Sequence, residues 1–155
     1  MKTIIAFSDT HSAPLPAQLL SVIDEANLVF FLGDGASALG KVLFNPRLHI
    51  VQGNCDVQGI LDDEKVVEVE GVRMLLTHGD RYSVKRDLLP LAMRAKELEC
   101  TVAFYGHTHI ARIDEYDGVT LICPGSPSYP KNSMASYAFA AAYNGKITAK
   151  IVNIG

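Results

Sequence analysis

The chain has 155 residues, of which 48% are hydrophobic and 20% charged, enough apolar material to offset the entropy of ordering and to exclude intrinsic disorder. Domains run to roughly 100–200 residues, so a single domain spanning 1–155 is expected. The 14 basic and 17 acidic residues give a net charge of −3 with no block of either sign, which leaves no footprint for a nucleic-acid backbone and predicts no sequence-specific nucleic-acid partner.

Lys2 to Phe7 is an apolar, β-branched run and reads as a strand, followed by a polar loop. Its apolar stretch is shorter than a secretory core of ~7–15 residues, so a mature cytoplasmic chain is expected to start here. Leu15, Leu19, Val22, Ile23 and Ala26 recur at spacings of three and four and predict a helix ending near Asn27. Leu28 to Leu32 and Leu48 to Gln52 are short apolar runs, each followed by glycine and a polar residue, as in buried parallel strands. Val66 to Val69 and Val72 to Leu76 flank Glu70-Gly71, a two-residue hairpin signal. Leu88, Leu91, Ala92, Ala95 and Leu98 predict a helix from near Asp87, with Pro90 in its first turn. Val102 to Tyr105 is a further strand. Two hairpins follow, Ile110 to Tyr116 with Val119 to Ile122 and Tyr137 to Tyr143 with Lys146 to Val152. No apolar run reaches the ~20 residues of a membrane span, so no membrane partner is expected. β/α units followed by hairpins predict an α/β sandwich, with ligands bound beyond the carboxyl ends of the strands.

Five polar clusters fall just after predicted strands: Asp9-Thr10-His11, Gly33-Asp34, Gly53-Asn54-Cys55-Asp56, Thr77-His78-Gly79 and Gly106-His107-Thr108-His109. They hold four of the five histidines. In extended backbone, residues two apart point the same way, so Asp9 with His11 and His107 with His109 are each expected to act as a pincer on one place. Carboxylate, imidazole and amide donors suit divalent ions such as Mn²⁺, Fe²⁺ or Zn²⁺ in an open catalytic site. Three cysteines without C-x-x-C spacing provide neither a disulfide framework nor a thiolate zinc site and fit a reducing compartment. Each cluster alone is an ordinary turn; the argument rests on their ordered conjunction.

That order, D-x-H, G-D, G-N-x-D, H and G-H-x-H, resembles the calcineurin-like metallophosphoesterase superfamily, in particular its small single-domain YfcE-like phosphodiesterase group. The resemblance implies a layered α/β/β/α sandwich carrying two divalent ions, Mn²⁺ foremost, with Fe²⁺, Zn²⁺ or Ni²⁺ as substitutes. It implies that Asp9, His11 and His109 hold one ion, that Asn54, His78 and His107 hold the other, and that Asp34 bridges both. Asn54, Cys55 and His107 are its implied catalytic residues. Cys55 stands where the wider family has a histidine that protonates the leaving group; a thiol with an ordinary pKa near 8.5 suits that task less well, and the other reading is a small packed side chain. Asp56 is read as an orienting residue, His49 as structural or surface, Cys100 and Cys123 as core thiols, and Pro124-Gly125-Ser126 as a simple turn.

The activity implied is hydrolysis of small phosphodiesters by in-line attack of a hydroxide held between the two ions. One general acid or base supplies only ~10²–10⁴ of an acceleration that can reach ~10²¹, so the metals must dominate. A phosphomonoesterase is the close variant, and hydrolysis of a non-phosphate ester or amide at the same site is a third reading. From a different class comes a non-catalytic binding scaffold resembling the retromer subunit, in which the ligand set is degraded; every ligand position is filled here, which favours an enzyme. The apolar strand Tyr137 to Tyr143 is read as an edge through which a homo-oligomer could pair.

Overall fold

Apolar side chains on both faces mark a strand covered on two sides, and the N-terminal run is one: Ile4 to Phe7 are all buried. The computed structural model, which describes residues 1–155, makes it β1 (Lys2–Phe7), followed by α1 (Ala17–Glu25), β2 (Leu28–Phe31) and β3 (Leu48–Ile50). After these come β4 (Glu64–Val69), β5 (Val72–Thr77), α2 (Leu89–Glu97), β6 (Val102–Phe104), β7 (Arg112–Tyr116), β8 (Val119–Cys123), β9 (Ser136–Tyr143) and β10 (Lys146–Asn153). Pro90 sits in the first turn of α2, where its missing N–H costs nothing. No helix is long and apolar enough to cross a membrane.

The strands form two five-stranded sheets, in the orders β10-β9-β1-β2-β3 and β4-β5-β6-β8-β7. Within the first, β1, β2 and β3 are parallel; within the second, β5, β6 and β8 are. Ile4, Ala6 and Phe30 from one sheet meet Met74, Leu76 and Phe104 from the other in a core between them. Alternation then sends Ile5, Phe7 and Phe31 outward against Leu19 and Ile23 of α1, and Leu75 and Ala103 outward against Leu91 and Ala95 of α2. The layers are therefore α/β/β/α, as expected. Three hairpin turns, Glu70-Gly71, Asp117-Gly118 and Asn144-Gly145, have positive φ at both residues, the type I′ geometry that matches strand twist.

One expectation fails. Tyr137 to Tyr143 is not an edge: β9 lies between β1 and β10, with Ala142 opposite both Lys2 and Ile147. Its alanines pair on either side because the final hairpin folds back along it, so β10, not β9, borders that sheet.

Candidate metal centre

The parallel strands end beside one another, and the backbone turns sharply at each end. Asp9, His11, Asp34, His107 and His109 all have positive φ, between 45° and 75°, a region that non-glycine residues occupy rarely. These turns, and not extended backbone, aim the side chains. Of the two expected pincers, Asp9 with His11 holds, whereas His107 and His109 separate, His109 joining Asp9 and His11, and His107 joining Asp34 and His78. Each trio offers three ligand atoms within 4.8 Å of one another, and His11, Asp34 and Cys55 form a third such group.

Distances bind the trios into one cluster. Asp9 Oδ1 lies 3.4 Å from His109 Nε2, 3.7 Å from His78 Nε2 and 3.9 Å from His11 Nε2, while Asp34 Oδ2 lies 3.2 Å from His78 Nε2 and 3.8 Å from His11 Nε2. His11 and His109 bring their Nε2 atoms to 3.1 Å. Two histidines are oriented from behind. His78 donates from Nδ1 to the Leu32 carbonyl at 2.7 Å and His109 from Nδ1 to the Tyr129 carbonyl at 2.6 Å. Because a carbonyl only accepts, Nδ1 carries the hydrogen in both, so that in its neutral form each ring turns its Nε2 lone pair to the cluster.

The carboxylates are held in the same way. Asp9 Oδ2 accepts from Ser8 Oγ at 2.7 Å and from the His107 amide at 2.9 Å, and Asp34 Oδ1 accepts from the Cys55 amide at 2.7 Å. What remains is informative: Asp9 Oδ1 and His78 Nε2 are fully buried and have no hydrogen-bond partner. A buried charge or acceptor without a partner is costly, and a cation between these atoms would satisfy both. The donor set of carboxylate oxygens and imidazole nitrogens fits divalent metal ions.

Burial raises the Asp34 pKa, but protonated His78, with Nε2 at 3.2 Å, and the Cys55 amide outweigh it and hold the group at about 2 while no cation lies between them. Burial disfavours charge on His78, yet Asp34 and Asp9 overcome it and move its pKa up. His107 is moved down, by burial and then by the charge of His78, whose ring lies 5.1 Å away.

Asn54 is exposed, and its amide donates to Cys55 Sγ at 3.6 Å without a hydrogen bond to the buried carboxylates. Cys55 is exposed at the rim, which sets aside its reading as a packed side chain. Its thiol pKa is pushed up by what burial it has and by the charge of Asp34. Asp56 matches its expected orienting role: its two oxygens accept from the amides of Asp34, Gly35, Ala36 and Gly53 at 2.9–3.1 Å. Gly53 and Gly106 are required by proximity, since a Cβ would meet Asp34 Oδ1 at 2.2 Å and Ser8 Oγ at 2.1 Å respectively. His49 packs edge-on against Phe30, and Cys100 and Cys123 are buried, as read.

Pro124-Gly125-Ser126 is more than a simple turn. Buried Ser126 donates to the Asp9 carbonyl at 2.8 Å and accepts the Tyr129 amide at 2.8 Å, so it ties the Asp9 loop to the segment that orients His109. Ser8 and Tyr129 likewise support the cluster without any local signature in the sequence.

The calcineurin-like phosphoesterase superfamily domain matches residues 1–145. The probable metallophosphoesterase YsnB of Bacillus subtilis is 31% identical over 150 residues, covering 95% of this chain and 88% of its own. Among solved structures, Vps29 of Entamoeba histolytica superposes with a TM-score of 0.80 at 21% identity, covering 99% of both chains. The Escherichia coli phosphoesterase YfcE gives 0.69 at 24% identity, covering 99% of this chain and all of its own, and an archaeal phosphodiesterase 0.72 at 22%, covering 97% and 99%. With the family match spanning almost the whole chain and the strand-end motifs gathered at one place, the protein belongs to the calcineurin-like metallophosphoesterase superfamily.

Proposed function

We propose that this protein is a metal-dependent phosphodiesterase. The observation that carries the reading is the pair of ligand trios built around Asp9 and Asp34, with buried atoms left unsatisfied between them. Asp9, His11 and His109 would hold one divalent ion; His78, His107 and Asn54 would hold the second, with Asp34 shared. Once bound, such ions supply a nucleophile at neutral pH and stabilise charge on the phosphoryl oxygens. The protein's own contribution is positional. Leu32 and Tyr129 carbonyls fix the imidazoles, Ser8 and the Cys55 amide fix the carboxylates, and the Asp56 staple fixes the loops that carry Asp34 and Asn54.

Cys55 bears on the substrate. A thiol with an ordinary pKa of about 8.5 is mostly protonated at neutral pH, so it can serve as a proton source, but a weak one. An enzyme so equipped does best on esters whose leaving group needs little protonation, which favours diesters with good leaving groups. The archaeal phosphodiesterase shares the fold, and the free cysteines fit work in a reducing cytoplasm. A binding scaffold is the second reading, favoured by the superposition on Vps29.

Protein reconstituted with Mn²⁺ and assayed on bis-p-nitrophenyl phosphate, p-nitrophenyl phosphate and p-nitrophenyl acetate separates these readings. The diester is expected to turn over fastest, with loss on chelation and in His107→Ala. Full activity in a metal-loaded His107→Ala variant would overturn the proposed roles, and no turnover of any ester by protein shown to hold metal would leave the scaffold.

A further inference from the structure

Beside the carboxylate cluster lies a trough of about 380 Å³ whose lining is mostly apolar. Leu43, Ile50, Val57, Ile60 and Leu61 form its walls, and His11 and Cys55, both in the candidate centre, form its inner end. Ile60 and Val57 are 73% and 70% exposed, an arrangement with a solvation cost unless something apolar covers them.

The walls are built and not incidental. The segment from Cys55 to Leu61 has no regular structure of its own, yet buried Gln52 clamps it: Nε2 donates to the carbonyls of Gly53 at 3.2 Å and Val57 at 3.0 Å, and Oε1 accepts the Leu61 amide at 3.2 Å. The Gln52 amide adds a bond to the Asp62 carbonyl at 2.8 Å. Four hydrogen bonds from one buried residue hold the aliphatic side chains beside the cluster.

The lining also says what it would not take. It contains no lysine or arginine, so a second phosphate finds no counter-charge. The Asp56 carboxylate is already occupied by four amides, which leaves the Ser12 and Ser37 hydroxyls as the main polar groups. A polar sugar or a hydrogen-bonding base edge would lose more to desolvation than it regains.

We propose that the trough holds the apolar alcohol moiety, alkyl or aryl, of the phosphate ester whose phosphorus sits at the Asp9–Asp34 cluster. This inference rests on the phosphoesterase reading above. It makes the enzyme selective for esters of hydrophobic alcohols, with His11 and Cys55 at the junction between phosphorus and substituent.

The test uses Mn²⁺-loaded full-length protein and non-hydrolysable methyl-, butyl-, hexyl- and octylphosphonate, with Kd measured by calorimetry. Affinity is expected to rise roughly twofold to fourfold per methylene until the trough is filled. Ile60→Asn and Leu43→Asn, at exposed positions where the fold is not at stake, should flatten that slope, whereas Met93→Asn on the outer face of α2 should keep it. A flat series in the unaltered protein, with methylphosphonate still bound, would overturn the trough assignment alone, and so would a slope that survives both trough substitutions. Failure of methylphosphonate and inorganic phosphate to bind at all would instead overturn the phosphoesterase reading together with this inference.

Discussion

Asp56 shows how one side chain can set the geometry of two loops. Its carboxylate gathers amides from Asp34, Gly35 and Ala36 after β2 and from Gly53 after β3, so the candidate ligand Asp34 and the loop of Asn54 and Cys55 move as one piece. Hydrogen bonds to a charged group contribute roughly 1.5–3 kcal/mol each, though water replaces part of what is lost. Asp56→Ala is therefore expected to cost about 3–5 kcal/mol in urea denaturation with an unchanged m-value, and to weaken Mn²⁺ binding 10- to 100-fold in a calorimetric titration. Asp56→Asn keeps the shape but loses the charge and one acceptor, and should fall between. Wild-type stability in Asp56→Ala would show that solvent can replace the carboxylate. This role was legible because Asp56 is adjacent to the Gly-Asn motif. Ser126 was not: its bond to Asp9 spans 117 residues of chain, and nothing around Pro124-Gly125-Ser126 distinguishes such a serine from one in an exposed turn.

At the scale of elements, side-chain size decides how closely the sheets approach beside β9. Ala138, Ala140 and Ala142 point into the core between the sheets, beside Ile4, Ala6 and Val72, and all are essentially inaccessible. Ala140→Leu adds three carbon atoms at a fully buried position, so it should destabilise by about 1–3 kcal/mol, read as a lower urea midpoint. A neutral or stabilising outcome would mean that the sheets separate there without strain. The strands and helices themselves were readable from apolar periodicity, and their ends shifted by only a residue or two. Leu32, Gln52 and Tyr105 illustrate why: they are buried like their strand neighbours, but there the backbone already turns into the site loops. The same turning is what defeats the pincer rule. Alternation holds only while φ stays extended, and the positive φ of His107 and His109 breaks it for that pair, whereas Asp9 and His11 still meet.

For the molecule as a whole, the cluster makes stability depend on pH in a way that metal should reverse. In chelated protein Asp34 is held at about 2 against an ordinary 3.8, despite burial, by His78 and the Cys55 amide. A depressed carboxylate pKa contributes stability above the unfolded value and loses it as pH falls through the folded one, so this contribution should fade between pH 3.8 and about 2. His78 is raised above 6.5, so its contribution is complete below that value and is lost as pH rises through the folded pKa. The pair is one interaction seen from both partners, and its effects are not summed. Chelated protein should therefore draw most from this pair between about pH 4 and 6.5. Metal binding requires His78 without its Nε2 proton, so it should release protons and strengthen as pH rises. At a hundredfold excess over Kd, Mn²⁺ should add about 2.7 kcal/mol of stability per occupied site, and that increment should be largest at or above neutral pH and reduced in His78→Ala, which keeps only the Asp9–His11–His109 trio. Urea denaturation from pH 2 to 8, with chelator and with Mn²⁺, checks this: superimposable profiles would mean that the buried carboxylates and imidazoles bind no cation.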